Sequence, residues 1–178
     1  MISTGVARGI PNPLHQMFPQ RLRKARKARG MHPTGLTLAA GLGGSMVALL
    51  EGGRSLPRLP TAECLARALG VSPGWLAYGL GDAADPAEPG ALSEGLAARA
   101  KAVRAALALS MREVARRAKL TEGAVRSAER GTMPSIKTAE ALAGALGVSP
   151  AWLAFGEGPQ ELPGRRHARQ LLHALSAI

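Results

Sequence analysis

The sequence predicts an all-α protein, and three observations carry that prediction. Ala and Leu dominate the 178 residues, while Val and Ile are few and aromatic residues make up only 3%. Ala and Leu are good helix formers, whereas strands prefer β-branched and aromatic side chains. Apolar residues also recur at helical spacing rather than alternating. Finally, Ser or Thr before and Gly after short apolar-periodic segments mark helix starts and stops at close intervals.

Internal repetition sets the organisation. TAECLARALGVSPGWLAYG (Thr61–Gly79) recurs as TAEALAGALGVSPAWLAFG (Thr138–Gly156), 77 residues later, with fifteen of nineteen positions identical. Identity at that level is duplication, not a shared helix pattern. Upstream, at an offset of 78, Arg26 falls on Arg104, Leu36 on Val114, Ala40 on Ala118, Leu42 on Leu120 and Val47 on Val125. The one-residue change of offset belongs to the loop after Glu51–Gly53, which matches Glu129–Gly131. The boundaries expected are a flexible arm over 1–18, a first and degenerate unit over 19–82, a linker over 83–96, a second unit over 97–158 and a tail helix over 159–178. The linker reading rests on GDAADPAEPGALSEG, which is rich in Pro, Gly and acid.

The second copy yields five helices in order. Leu96–Leu107 is an Ala-rich first helix. Ser110 stands three residues before Glu113, the pattern of a capping box in which each side chain satisfies a free amide of the other end. Met111, Val114, Ala115 and Ala118 follow at helical spacing. After the turn Lys119–Leu120–Thr121, Thr121 is expected to cap a third helix, Glu122–Arg130, which Gly131 stops. Ser135 is expected to cap a fourth helix, ending at Gly147, and Ser149–Pro150 a fifth. The first copy departs from this script. His32–Pro33–Thr34–Gly35 replaces the capping box and Gly43 replaces Thr121.

Charge narrows the partners. The net charge is +11. Residues 1–82 hold ten bases against three acids, and residues 96–158 hold ten against five, with only Asp85, Glu88 and Glu94 charged between them. Two basic blocks fit nucleic acid, because clustered Lys and Arg release the counterions of phosphates; a basic surface serving solubility alone is the other reading. Cys64 is the single cysteine, which excludes an internal disulfide or a Cys-based zinc site, and a buried inert thiol is expected there. His15, His32, His167 and His173 show no ligand spacing, so neither a metal nor another cofactor is expected. No nucleophile–base arrangement, phosphate loop or paired-carboxylate motif appears, so the expectation is a non-enzyme. No apolar run reaches the ~18–20 residues of a membrane span and MISTGVARGIPNPLHQ lacks a signal peptide's apolar core, so a cytoplasmic protein is expected.

The stretch SMREVARRAKLTEGAVRSAERGTMPSIKTAEALAGALGVSPAWLAFG resembles the helix-turn-helix domain of the lambda-repressor-like (Xre) family of bacterial and phage regulators. The shared features are the Ser-capped second helix, the Leu–Thr turn, Val125 within the third helix, Glu129-x-Gly131 and the Leu-Gly-Val-Ser-Pro-x-Trp-Leu ending. The resemblance covers both repeats. It implies two tandem five-helix lambda-repressor-like helix-turn-helix domains, and sequence-specific binding of double-stranded DNA by a dimer. It also implies that the third helix enters the major groove, where base edges carry a readable pattern.

With Val125 and Ala128 facing the core, Glu122, Gly123, Arg126, Ser127 and Arg130 point outward. Glu122, Gly123, Arg126 and Ser127 are the base-reading candidates, Arg126 for the guanine O6/N7 pair and Glu122 for a cytosine amino group. Arg112, Arg116, Arg117, Lys119, Thr121 and Arg130 are candidates for phosphate, or else solvated surface. In the first copy the matching face is Gly44, Ser45, Ala48, Leu49 and Gly52, with little to read bases. Yet Arg21–Gly30 carries six bases in ten residues, so Arg23, Lys24 and Lys27 are phosphate candidates there. The alternative is that this third helix is a protein-docking surface, and because an exposed Leu49 is out of place on so basic a surface, the helix is expected to be covered by protein, either a second chain or the linker and tail. Both copies keep an Arg and a Glu that, in the resembled family, join the first helix to the end of the third. The expected pairs are Arg104–Glu129 and Arg26–Glu51, close and largely buried. Trp75 and Trp152 are expected as core anchors. The tail stripe Leu171, Leu172, Leu175 and Ile178 either packs on its own domain or forms a homodimer seam. The rival function is a protein-interaction module, an anti-activator or antitoxin-like partner that uses the fold without reading DNA.

Overall fold

In the computed structural model, which describes residues 13–84 and 92–161, ten α-helices follow one another. In the first copy these are α1 (Phe18–Ala28), α2 (Pro33–Ala39), α3 (Met46–Glu51), α4 (Leu59–Leu69) and α5 (Pro73–Tyr78). In the second they are α6 (Leu96–Ala106), α7 (Met111–Ala118), α8 (Glu122–Glu129), α9 (Ile136–Leu146) and α10 (Pro150–Phe155). A 3-10 turn precedes each set, at Leu14–Met17 and Leu92–Gly95. The all-α reading holds. Leu14–Met17 and Leu92–Gly95 are ordered turns inside stretches expected to be arm and linker. The remainder of that arm, the linker residues 85–91 and the tail stripe from Leu171 to Ile178 lie outside the described residues.

Caps explain most of the helix ends. Thr121 Oγ1 accepts from the Ala124 amide at 3.2 Å and Ser135 Oγ from the Thr138 amide at 3.2 Å, satisfying amides that have no carbonyl partner in the first turn. Ser110 Oγ accepts from the Glu113 amide at 3.1 Å, but the return half of the expected box does not form. The Glu113 carboxylate instead takes Arg116 at 2.7 Å and Arg117 at 2.8 Å, because two guanidiniums one turn ahead outbid a single backbone amide. Ser149 makes no capping bond either, whereas Ser72 at the same repeat position accepts from Trp75 N at 3.0 Å. Ser72 is oriented by donating its proton to Glu157 at 2.7 Å. The residue matching Glu157 in the first copy is Leu80, so Ser149 has no carboxylate to hold it. The third helix of the first copy lacks a side-chain cap and starts only at Met46, leaving it six residues long against eight for α8. Gly44 before it sits at φ +61°.

One apolar core runs through both copies. Leu36, Val47, Leu50, Leu65 and Leu76 in the first, and Val114, Val125, Ala128, Leu142 and Leu153 in the second, are buried in equivalent places. The copies meet face to face, α5 against α10, and several contacts recur with the roles exchanged. Leu59 N donates to Pro134 O at 3.0 Å, and Ile136 N to Pro57 O at 3.1 Å, framing an antiparallel bridge between Arg58 and Ser135. The Glu140 carboxylate accepts from the amides of Leu14 and His15 at 2.6 and 3.0 Å. In turn Glu63 accepts from the amides of Leu92 and Ser93 at 2.5 and 3.4 Å. Tyr78 and Phe155, equivalent residues, face each other with ring centroids 6.3 Å apart. Such self-complementary pairing is the signature of a two-fold interface. Here it is formed within a single chain.

Candidate nucleic-acid interface

The helix α7, the Lys119–Thr121 turn and α8 make up the candidate surface. Lys119 takes the left-handed conformation at φ +54°, letting Leu120 N close back onto Ala115 O at 2.9 Å. Burial of Val125 and Ala128 fixes the rotation of α8 and turns Glu122, Gly123, Arg126, Ser127 and Arg130 out to solvent. The four base-reading candidates therefore share one exposed face. Two of them already engage each other: Arg126 donates to Glu122 at 2.9 Å, with both side chains about half exposed. An exposed i,i+4 pair is worth well under ~1 kcal/mol, so a guanine edge can displace it.

The surrounding cations are less free than the sequence implies. Arg116 and Arg117 are both held by Glu113, whose carboxyl these hydrogen bonds pull down to about 2. Arg112 and Lys119 are exposed, and so is Thr121, whose hydroxyl oxygen also caps α8. The starts of α7 and α8 each have one first-turn amide taken by a cap, Glu113 N by Ser110 and Ala124 N by Thr121.

The end of α8 is pinned to α6. Arg104 Nε and one terminal nitrogen donate to the two Glu129 oxygens at 2.6 and 2.8 Å, and its other nitrogen to Leu109 O at 3.1 Å. In the first copy Arg26 grips Glu51 at 2.6 and 2.8 Å and Met31 O at 2.6 Å. Arg23 adds a longer bond to the same carboxylate at 3.4 Å and one to the Glu51 carbonyl at 3.1 Å. Burial alone would raise the Glu51 pKa; the Arg26 and Arg23 hydrogen bonds outweigh it and hold the carboxyl below its ordinary range. The bond from Glu51 in turn raises Arg26. Arg23 is thus part-committed to structure, while Lys24 and Lys27 stand exposed on α1.

On the face of α3, Gly44, Ser45, Ala48 and Gly52 are exposed and Leu49 is 37% exposed. Leu49 stays open to solvent among the described residues; linker residues 85–91 and tail residues 162–178, proposed to cover it, lie outside them. Cys64 corrects its expectation. It is half-buried and lines a cleft of about 460 Å³ with Glu63, Arg67, Ser93, Glu94, Gly131 and Met133, because its helix borders the seam between the copies rather than the core alone. Trp75 and Trp152 pack on the core but keep partial exposure.

The sequence reading passed over Arg21, Arg99, Glu63 and Glu140. Arg21 donates to the carbonyls of Leu76, Ala77 and Leu14, and Arg99 to those of Leu153, Ala154 and Leu92. Each closes the end of its own copy's last helix, and burial lowers Arg21 to about 10. The signal was present: both arginines and both glutamates recur at the repeat offset.

A helix-turn-helix family model matches residues 101–153. Over this segment, under a third of the chain, the protein is similar to helix-turn-helix domains of the lambda-repressor-like (Xre) type. The matched residues run from within α6 into α10 and so include the whole candidate surface. No curated protein and no solved structure matches the chain. Among the described residues no helix is long and apolar enough to cross a membrane.

Proposed function

We propose that the protein is a sequence-specific regulator of transcription, of bacterial or phage type, that binds double-stranded DNA through its helix-turn-helix domain. The observation that carries this reading is the exposed polar face of α8, whose end is held by the Arg104–Glu129 pair. Glu122, Gly123, Arg126 and Ser127 read base edges. Arg112, Arg116, Arg117, Lys119, Thr121 and Arg130 hold the sugar–phosphate backbone, Arg116 and Arg117 exchanging part of their hold on Glu113 for phosphate. The first copy contributes phosphate contacts through Lys24 and Lys27, with Arg23 beside them.

The test is selection of bound duplexes from a random library, followed by titration at several salt concentrations. Arg126→Ala is expected to cost about 1–3 kcal/mol on the selected site and leave non-specific binding nearly intact. Changing Lys24 and Lys27 to Gln is expected to weaken all duplexes alike and flatten the salt dependence. An identical, uniform loss from both changes would refute the division between reading and gripping. A second reading, docking of a protein partner, is favoured by Leu38 and Leu49 standing 72% and 37% exposed on the first copy. Salt-insensitive failure to bind any duplex would decide for it.

A further inference from the structure

The interface between the copies does more than join them. Most of its contacts are isologous: Glu63 and Glu140 exchange roles, Pro57–Leu59 meets Pro134–Ile136, Tyr78 meets Phe155, and Gly74 abuts Ala151; the bonds of Ser72 and Gly74 to Glu157 and of the Tyr78 hydroxyl to Ile136 O are one-sided additions. An isologous contact is closed, because the patch it uses is satisfied and leaves no equivalent surface for a third unit. The α5–α10 face is therefore consumed inside the chain.

The same local two-fold relates α3 to α8. Each helix leads within seven residues to the central Arg58–Ser135 bridge, from Glu51 on one side and Glu129 on the other. At ~3.5 Å per residue at most, that connection bounds the separation of the two helix ends at about 50 Å. Two successive turns of major groove on one face of a duplex lie about 34–36 Å apart, inside that bound. Duplex DNA carries its own two-fold axis perpendicular to its length, so a two-fold pair of third helices matches it. What the copies do not share is chemistry. At equivalent positions Glu122 is matched by Gly44, Gly123 by Ser45, Arg126 by Ala48, Ser127 by Leu49 and Arg130 by Gly52.

We propose that one chain is the complete DNA-binding unit, acting as its own two-fold partner, and that its target is a non-palindromic site. On the α8 side bases are specified. One turn away, on the α3 side, the duplex is held through its backbone with few or no bases read. This inference rests on the DNA-binding reading above and adds the stoichiometry and architecture of the site.

The experiment uses the full chain with duplexes of about 35 base pairs selected from a random library, in three measurements. Sedimentation of the complex is expected to give one chain per duplex. The selected motif is expected to be one-sided. Hydroxyl-radical footprinting is expected to show two protected patches about 10 base pairs apart, only one of which overlaps the motif. A second variant, Ala48→Arg, places at an exposed position the residue that α8 carries there. It is expected to add a specified base in the unread half, with strand polarity inverted relative to the contact of Arg126.

A palindromic motif bound by two chains would overturn the inference while leaving the DNA-binding reading intact, and so would a single protected patch. New specificity in the same polarity, or none at all, from Ala48→Arg would show that α3 does not occupy a two-fold-related groove. Loss of all sequence preference in the parent chain would remove the DNA-reading proposal itself.

Discussion

Glu129→Ala removes the group that fixes the recognition helix, and the structure sets the size of the loss. The Glu129 side chain is 6% exposed and places both oxygens on Arg104. Without it, Arg104 keeps one bond, to Leu109 O at 3.1 Å. Breaking a buried pair by removing one partner costs about 3–5 kcal/mol, because the remaining charge stays in a poor solvent. Arg104 is 18% exposed, so part of its guanidinium recovers water and the loss falls near the lower end. In the first copy Arg26 is only 10% exposed and Arg23 also leans on the same carboxylate, so Glu51→Ala falls nearer the upper end.

Small domains are stable by only about 5–15 kcal/mol, so either change removes a large share. Urea unfolding reads it directly. With a slope of about 1–3 kcal/mol per molar, a loss of ~3 kcal/mol moves the midpoint down by about 1–3 M. Replacing the pair together, Arg104→Met with Glu129→Leu, is expected to recover most of the loss, since no charge is then stranded. A midpoint shift below about 0.3 M for Glu129→Ala, at unchanged slope, would refute the argument, and so would a double variant no better than the single one.

Three further outcomes follow from other parts of the structure. Glu51 has a folded pKa below its unfolded value, so its contribution is complete above the ordinary carboxylate pKa of about 4.3 and is lost as pH falls through the depressed folded value; a urea midpoint that stays flat from pH 5 to pH 3 would contradict this. Ala108 and Lys119 hold positive φ at positions where the first copy has Gly30 and Gly41, so Ala108→Gly and Lys119→Gly are each expected to stabilise by about 1 kcal/mol, seen as a raised thermal midpoint. Leu49→Glu is expected to leave that midpoint nearly unchanged and weaken DNA binding, because it puts a carboxylate toward phosphates; a fall in the midpoint or in the molecular mass instead would mean that protein covers this helix.

Much of the fold was legible because it is written locally. Helical spacing fixed the buried faces of α7 and α8, and Thr121 and Ser135 cap where a hydroxyl before a periodic run predicts. The Arg104–Glu129 contact was legible for another reason: the same two residue types recur in the other copy at the same offset, and the family the sequence resembles joins such a pair. Legibility failed where a side chain had competing partners. Glu113 has the right spacing for a capping box, yet spacing does not reveal that Arg116 and Arg117 lie within its reach and bind it more strongly. Ser149 and Ser72 share the flank Leu-Gly-Val-Ser-Pro, and what separates their behaviour is the distant Glu157, seated against Gly74 where the other copy has Ala151. The contacts between copies were harder still. They join residues far apart in the sequence, such as His15 and Glu140, that nothing local connects.

The interface also bears on why the first copy could lose its reading face without losing its place in the fold. Many residues that hold the two-fold contact come from the Thr61–Gly79 repeat, which is nearly the same in both copies, while the preceding loops keep only the shared Pro57 and Pro134 and bridge through backbone groups. The residues that differ, on the outer face of α3, are the ones no part of the core needs: Gly44, Ser45, Ala48 and Gly52 are exposed, while Val47 and Leu50 beside them are fully buried. A copy under no demand to specify bases can vary freely at the first set and not at the second. Substitution tolerance should therefore divide along α3 with helical periodicity. Ser45→Ala and Ala48→Gln are expected to change stability by less than about 0.5 kcal/mol, as surface changes do. Val47→Ala and Leu50→Ala are expected to cost about 2–5 kcal/mol through lost burial and the cavities left behind. Because the copies share one core across their interface, Leu50→Ala is further expected to lower the cooperative unfolding of the whole chain rather than of one half. Two separated transitions in that variant, monitored at Trp75 and Trp152 individually, would show that the copies are held together too weakly to act as a single two-fold unit.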